Sequence, residues 1–336
     1  MAIKTPGAPV GPAINTSGPV PVPAGLAPRP RRRRTPGQTA RHVFGRVVLY
    51  AVLTLGSLIF IAPLLWMVSA SLQDLGDIFS FPPHWIPIDP SLDNYRRFLF
   101  PGAIEATRDE SANILRWFGN GLFVAGSVTV LQLFFCSLAA YAFAKRRFRG
   151  RDRIFLLFLA TMMIPAQVTL IPWYIILRHI PLFGGNDLFG QGGHGWLDSY
   201  YGLIIPGVVS AWTIFFLRQY MRGISDEYLD AARVDGASEF RVFWTVVLPL
   251  TKPALGASGI FTFIYVWEDL FGPLILISNP DLYTVPLGMA LFSVKNRPAW
   301  DLLMAGGVLA TIPVLIVFVL FQRQLVKGIT LGGIKG

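Results

Sequence analysis

The sequence predicts an all-α, polytopic membrane protein with six transmembrane helices and both termini in the cytoplasm. Three observations carry that prediction. Hydrophobic residues make up 53% of the 336 positions, and the mean hydropathy is +0.52. The apolar residues gather into six runs, each near the roughly 20 residues that a helix needs to cross about 30 Å of hydrocarbon. The positive charge falls between those runs and concentrates in alternate loops. Inside lipid every backbone polar group must be satisfied within its own segment, so such runs are read as helices. A soluble chain of this length could hold a large core but would not need so many long apolar runs.

Residues 1–40 come first as a basic, Pro-rich tail. Nine of the 26 prolines occur by Pro36, and RPRRRR occupies Arg29–Arg34. This composition cannot bury a core and is expected to be disordered and cytoplasmic. The first apolar run is too late and too long for a signal peptide, so it reads as an uncleaved anchor. The runs are Val47–Ser69, Trp117–Ala144, Ile154–Leu177 (with Pro165 and Pro172), Tyr201–Tyr220, Leu255–Ser278 and Leu302–Phe321. The second carries the Gly and Ser residues of close helix contacts. Residues 41–322 are thus expected to form one transmembrane domain, with 323–336 a cytoplasmic tail. The loop Leu72–Leu115, rich in Pro, Asp and aromatics, is expected to fold as an outer lid with short helices.

Orientation follows from Lys and Arg. The tail, the loop KRRFRGRDR at Lys145–Arg153, the stretch 222–252 and the C-terminal end hold most of them, and the other three loops are poorer. The positive-inside rule places the basic loops in the cytoplasm. A net charge of +10 would otherwise suggest nucleic acid, but no basic and aromatic residues interleave on a soluble face, and no nucleic-acid partner is expected. Cys136, the lone cysteine, lies inside an apolar run, which excludes an intramolecular disulfide and a cysteine metal cluster. His42, His84, His179 and His194 lack ligand spacing, so neither a metal nor a cofactor is expected.

One stretch breaks the apolar pattern. DEYLDAARVDGASEFRVFWTVVLPL at Asp226–Leu250 carries seven charged residues between Asp226 and Arg241. It reads as two short helices. Ser225 can cap the first, with Asp226 and Glu227 in the first turn where the helix dipole favours anions. Tyr228, Ala231 and Ala232 share one face; Asp226, Asp230 and Arg233 share another. Gly236 supplies the bend. Ser238 can cap the second helix, whose Phe240, Phe243, Trp244 and Val247 recur at helical spacing, and Leu248-Pro249 is expected to end it. By amphipathicity alone an interfacial helix and a docking element explain the stretch equally well.

The spacing separates them. Asp230-Ala231-Ala232, three residues, Gly236, nine residues, Val246, one residue, then Leu248-Pro249 resembles the EAA loop of ABC-importer permeases, Glu-Ala-Ala-x3-Gly-x9-Ile-x-Leu-Pro. Asp stands for Glu and Val for Ile. SLAAYAFAKRRFRGRDRIF, IPAQVTLIPWYIIL, YYGLIIPGVVSAWTIFFLRQYM, DLYTVPLGM and FQRQLVKGITLGGIKG are similar to the carbohydrate branch of that family, in the manner of the maltose-system permease MalG.

The resemblance implies a type I ABC-importer permease fold in a prokaryotic cytoplasmic membrane. It also implies a complex: a heterodimer with a second permease, a cytoplasmic ATPase dimer and an extracytoplasmic solute-binding protein that delivers a sugar. The chain contains no G-x-x-x-x-G-K-[ST] phosphate loop, so ATP hydrolysis falls to another polypeptide and this chain is not itself an enzyme. By resemblance Asp230, Ala231, Ala232, Gly236, Val246, Leu248 and Pro249 form the element that docks on the ATPase.

For the substrate path the candidates are Trp267, Glu268 and Asp269, since ionisable residues in an apolar run are functional candidates. Carbohydrate permeases commonly show Trp-Asn-(Asp/Glu) at this point, and here Glu268 replaces the Asn. Trp267 can stack on a sugar ring or pack between helices. Arg218 and Gln219 close the fourth run, where Arg218 can snorkel to headgroups or support the docking element. A self-sufficient secondary transporter would predict discontinuous helices or ionisable residues in several spans, and the charges lie in loops instead. A membrane enzyme would need a nucleophile-base set that the sequence lacks. A non-sugar solute is the alternative within the importer reading.

Overall fold

The computed structural model describes residues 36–100, 114–295 and 299–333. The chain divides into two compact units, Met1–Phe60 and Ile61–Gly336. The described part of the first belongs to helix α1, Pro36–Ala70. From Phe44 to Phe60 its large apolar side chains are exposed on every side, a surface that suits lipid and not water. The tail of residues 1–35 lies outside the described residues.

The second unit continues through α2 Leu75–Ile78, α3 Asp93–Leu99, α4 Ile114–Lys145, α5 Arg151–Thr161 and α6 Ala166–Arg178. Then come α7 Tyr200–Ile204, extended by a 3-10 turn over Ile205–Val208, and α8 Ala211–Arg222. Helix α9 spans Asp226–Val234; α10, Glu239–Val242, runs through a π-turn at Phe243–Val247 into α11, Leu248–Leu250. Helices α12 Lys252–Trp267, α13 Phe271–Leu276, α14 Val285–Lys295 and α15 Trp300–Gly333 complete the chain. The described residues contain no strand.

Four segments are long and apolar enough to cross a membrane: Phe44–Ala70, Ile114–Lys145, Tyr200–Arg222 and Trp300–Leu325. Two bent pairs bring the count to six if each is one span. Helices α5 and α6 meet at 101°, and Glu239–Leu250 meets α12 at 78°. The six expected runs are all present, but three are not single rods. Pro165 sits at the α5–α6 break, where proline lacks a donor and disfavours helix in the residue before it. Val209 and Ser210 interrupt the fourth span in extended conformation. The fifth run, expected to stay helical to Ser278, loses its helix after Trp267 and restarts at Phe271.

The loops sort to two ends. At one, Lys145 and Arg146 reach Asp226 and Glu239, and Gln324 of α15 lies against Gly256 near the start of α12. At the other, Arg97 pairs with Asp301 at 3.0 Å and Arg116 with Asp281 at 2.7 Å. Asn120, buried at the top of α4, donates to the carbonyls of Asp281 and Tyr283 at 2.9 Å and accepts from the Tyr200 hydroxyl. The expected lid is folded: Asn94 donates to the Ser71 and Gln73 carbonyls, and Phe98 is fully buried. Its residues 101–113 lie outside the described residues.

Helix α4 is the central post. It packs along α8 and α12, and α12 packs along α15. A Cβ on Gly121 would stand 3.0 Å from the Trp267 ring, so this glycine lets α4 approach α12.

Candidate functional site: a docking element and a cleft

The stretch 226–250 folds as two capped helices at the basic end. The Ser225 hydroxyl accepts from the Glu227 N–H and the Ser238 hydroxyl from the Arg241 N–H, both at 3.4 Å. Each satisfies one orphan donor of a first turn. Gly236 has φ of +81°, the Ala237 N–H reaches the Ala232 carbonyl at 3.0 Å, and the Gly236 N–H reaches that of Arg233. That pair of bonds is a Schellman closure, which needs a residue free to adopt left-handed backbone. Pro249 does not stop the second helix, which continues to Leu250. Pro249 follows directly on the π-turn, whose widened hydrogen bonding accommodates it, and the direction changes at Thr251 instead.

Beneath the helices lies a dense apolar core. Leu229, Val242, Phe243 and Val247 are each at most 1% exposed. They pack with Tyr141 and Phe143 of α4, Phe155 of α5, Leu217 and Met221 of α8, and Ala254 of α12. Four membrane helices thus meet one element. Phe240 and Trp244, expected beside Phe243 and Val247, face outward and stack on each other at 6.3 Å and 18°. The π-turn rotates the apolar stripe, so half of it is core and half is surface.

Charge holds the base. Lys145, with its side chain 5% exposed, donates to the Asp226 carboxylate at 2.7 Å and to the Ile224 carbonyl. Its ammonium holds the Asp226 carboxyl below the ordinary carboxylate range. Glu239 is the junction: it accepts from Tyr141 at 2.7 Å and from Arg233 at 3.0 Å, and it pairs with Arg146. Glu239, and then Asp230, stabilise the charged Arg233 guanidinium and push its pKa up. Arg218 does not snorkel. It is buried, lies 3.8 Å over the Phe155 ring, and donates to the Phe143 carbonyl, tying α8 to α5 and α4.

The motif residues take distinct positions on this element. Asp230, Ala231 and Gly236 are exposed; Ala232, Val246 and Leu248 are half-buried, and Pro249 is exposed. Beside them stand Tyr228, Val234, Phe240 and Trp244, between 51% and 87% exposed. Lys145 and Tyr141 carry no local sequence sign of their roles, because their partners lie 81 and 98 positions away. A Glu in the first turn after Ser238 was the one local sign of a role.

The triplet Trp267-Glu268-Asp269 comes apart. Trp267 is buried, stacks on Phe263 at 6.0 Å and donates its indole N–H to the Ala310 carbonyl at 3.0 Å. Asp269 accepts from the Gly272 N–H at 3.2 Å and caps the restart of the chain as α13. Glu268 is exposed and lines a cleft of about 790 Å³ with Gln132 of α4, Ser210, Trp212 and Thr213 of the fourth span, and Thr262 and Tyr265 of α12. The Gln132 amide donates to both Thr213 and Thr262 hydroxyls at 2.7 Å. Pro206, Gly207 and Val209, at the break in the fourth span, also line it. Non-helical backbone at membrane depth is tolerated where protein buries it or where it borders a watery cavity, and here it borders the cleft. Gln132, a lone amide in the apolar run VLQLFF, was the available sequence signal.

A sequence profile described as "Binding-protein-dependent transport system inner membrane component" matches residues 132–331, which take in both the cleft and the docking element. The chain belongs to that family. The permease is 34% identical to the arabinooligosaccharides transport system permease protein AraQ of Bacillus subtilis, over 87% of this chain and 96% of that one. It is 32% identical to the diacetylchitobiose uptake system permease protein DasC of Streptomyces coelicolor, over 88% and 99%. It is also 32% identical to the sn-glycerol-3-phosphate transport system permease protein UgpE of Yersinia pestis, over 84% and 95%. Its fold matches a chain of a bacterial ABC transporter that imports the acidic polysaccharide alginate, with a TM-score of 0.67 at 24% identity, covering 84% of this chain and 97% of that one.

The permease is therefore a multi-pass membrane protein and a transport subunit, not the ATPase. Its spans are discontinuous in three places, a trait expected of a self-sufficient secondary transporter. Membership of the family places the breaks in an importer subunit.

Proposed function

We propose that this permease passes a sugar (an oligosaccharide, a disaccharide or a related polyol) from an extracytoplasmic binding protein into the cytoplasm. In this reading it pairs with a second permease and is driven by a cytoplasmic ATPase dimer. The observation that carries it is the docking element: a helix pair with the EAA spacing, an exposed apolar tip and a base fixed to four membrane helices. The names of AraQ and DasC support a sugar as the solute. The basic end, with Lys145, Arg146, Arg147 and Arg149, faces the cytoplasm in this reading.

The geometry supplies a mechanism of alternating access. When the ATPase subunits close around ATP they draw the docking elements together. Leu229, Val242 and Val247 are packed among α4, α5, α8 and α12, and a close-packed core transmits displacement instead of absorbing it. These helices then move as a body and change which side of the membrane the cleft faces. ATP shifts this equilibrium only by favouring one state over the other, so a loose handle would waste the stroke. Trp267 acts as a buttress, Asp269 as a cap, and Glu268 as the member of the triplet that meets the solute.

The test uses the whole assembly in proteoliposomes: this permease, the second permease, the ATPase and the binding protein. ATP-driven uptake of labelled sugar is expected, and it should require all four. Gly236→Leu meets no atom within 4 Å of its Cβ, but its backbone is left-handed, at a cost of about 1–2 kcal/mol. It should insert and assemble in the membrane while uptake falls at least about tenfold. Wild-type uptake by that variant, or ATP-independent uptake by this chain alone, would contradict the proposal.

A further inference from the structure

The cleft has a one-sided chemistry. Among the described residues that line it, Glu268 is the one charged group, and no Lys, Arg, His or second carboxylate accompanies it. Its carboxylate takes part in none of the ion pairs among the described residues. Glu268 is exposed.

Among the described lining residues, the hydrogen-bonding groups other than Glu268 are all uncharged. Both Gln132 amide hydrogens are committed to Thr213 and Thr262, so Gln132 offers a ligand its carbonyl oxygen. Glu268, when ionised, accepts and cannot donate. A solute in this cleft meets the acceptors of Glu268 and Gln132, with the Ser210 and Tyr265 hydroxyls and the Trp212 indole N–H as neutral donors.

Sugar hydroxyls satisfy such a surface because each can donate. A phosphate or carboxylate presents only acceptors, and it would also bring a like charge near Glu268 with no cation among the described lining residues to offset it. The cleft further offers an aromatic wall. Trp212 stacks on Phe216 at 5.4 Å and 2° and meets Phe261 edge-on, and Tyr265 is largely exposed beside them. Rings held in this way suit the apolar faces of an uncharged pyranose.

We propose that the cleft around Glu268 is a charge filter, which admits uncharged or cationic sugars and turns away uronates and sugar phosphates. Glu268 is its specificity-determining residue, and the Gln132–Thr213–Thr262 bonds hold the acceptor array in place. The proposal rests on the sugar-permease reading, but it makes a separate claim about charge.

The same four-component proteoliposomes provide the test. They are offered a labelled panel of neutral oligosaccharides, an amino-sugar oligosaccharide, a uronate oligosaccharide, a sugar phosphate and uncharged non-sugar polar solutes. The wild-type assembly is expected to accumulate an uncharged or cationic sugar. Glu268→Arg should lower that uptake at least about tenfold, while Glu268→Gln should lower it less and raise uptake of the uronate oligosaccharide or the sugar phosphate at least about threefold over the wild type. Uptake of an anionic solute by the wild type would overturn the filter. So would wild-type uptake by a Glu268→Arg complex that assembles normally. If Glu268→Arg fails to assemble, the charge of the wild-type solute decides the matter alone. Uptake confined to an uncharged non-sugar solute would overturn the sugar reading and leave the filter standing.

Discussion

The docking element stands on the helices that line the cleft, α4, α8 and α12, and the two are built by opposite means. At the docking end each exposed feature stands on a packed base: Val234 is 87% exposed, while Leu229, five residues earlier on the same helix, is 1% exposed. Ion pairs from Lys145, Arg146 and Arg233 converge on two acidic residues, Asp226 and Glu239. At the cleft the helices are interrupted, the polar residues are spread over three spans, and Glu268 has no ion partner among the described residues. A part that must transmit force is over-determined; a part that must exchange ligands keeps its polar groups unspent.

That contrast predicts different failures. Glu239→Ala strips partners from Arg233, Arg146 and Tyr141, and leaving charged groups short of a partner costs about 1–3 kcal/mol when buried. Glu239 is 40% exposed, so the low end applies. The larger consequence is mechanical: ATP hydrolysis should continue while sugar uptake per ATP falls by about tenfold or more. Thr213→Val breaks one of the Gln132 bonds in the cleft, worth about 1 kcal/mol. It should change KM several-fold and leave the coupling ratio as in the wild type. If Thr213→Val uncoupled hydrolysis, or Glu239→Ala changed only KM, the division of labour would be wrong.

The smallest effect concerns acid. Lys145 depresses the Asp226 pKa below its unfolded value of 3.8. The pair therefore adds stability above that value, and the contribution is lost as pH falls through the lower, folded pKa. The Asp226 side chain is 73% exposed, so solvent screening holds the gain under about 1 kcal/mol. Thermal unfolding of the detergent-solubilised protein should show an extra acid-induced loss below pH 4 that is missing in Lys145→Met. The same pH slope in both proteins would remove this pair from the base.

The two regions also differ in how far the sequence disclosed them. The caps at Ser225 and Ser238 and the turn at Gly236 are settled by residues within a few positions of one another, and the structure has all three. The six apolar runs were equally plain, because span length is a property of a contiguous segment. The Tyr141–Glu239 bond joins residues 98 positions apart, and Gln132 meets Thr213 and Thr262 across 81 and 130 positions. No local pattern encodes such pairs. The triplet at 267–269 was singled out as a unit, yet the helix ends there, and three adjacent side chains point to three different surroundings. The break in the fifth run falls at Glu268-Asp269 and just before Gly272-Pro273, so breaker residues mark it within an otherwise apolar segment.

The account turns on one claim: that the exposed tip of the docking element is a seat for the ATPase. Cys136 is the lone cysteine and is fully buried, so a new surface thiol can be read against a quiet background. Val234→Cys, in inside-out vesicles, is to be labelled with a membrane-impermeant maleimide before and after the ATPase subunit is added. The account predicts rapid labelling of the permease without the ATPase and at least about tenfold slower labelling with it, as burial at an interface requires. Equal labelling rates in the two conditions, with the ATPase shown to be bound, would contradict it.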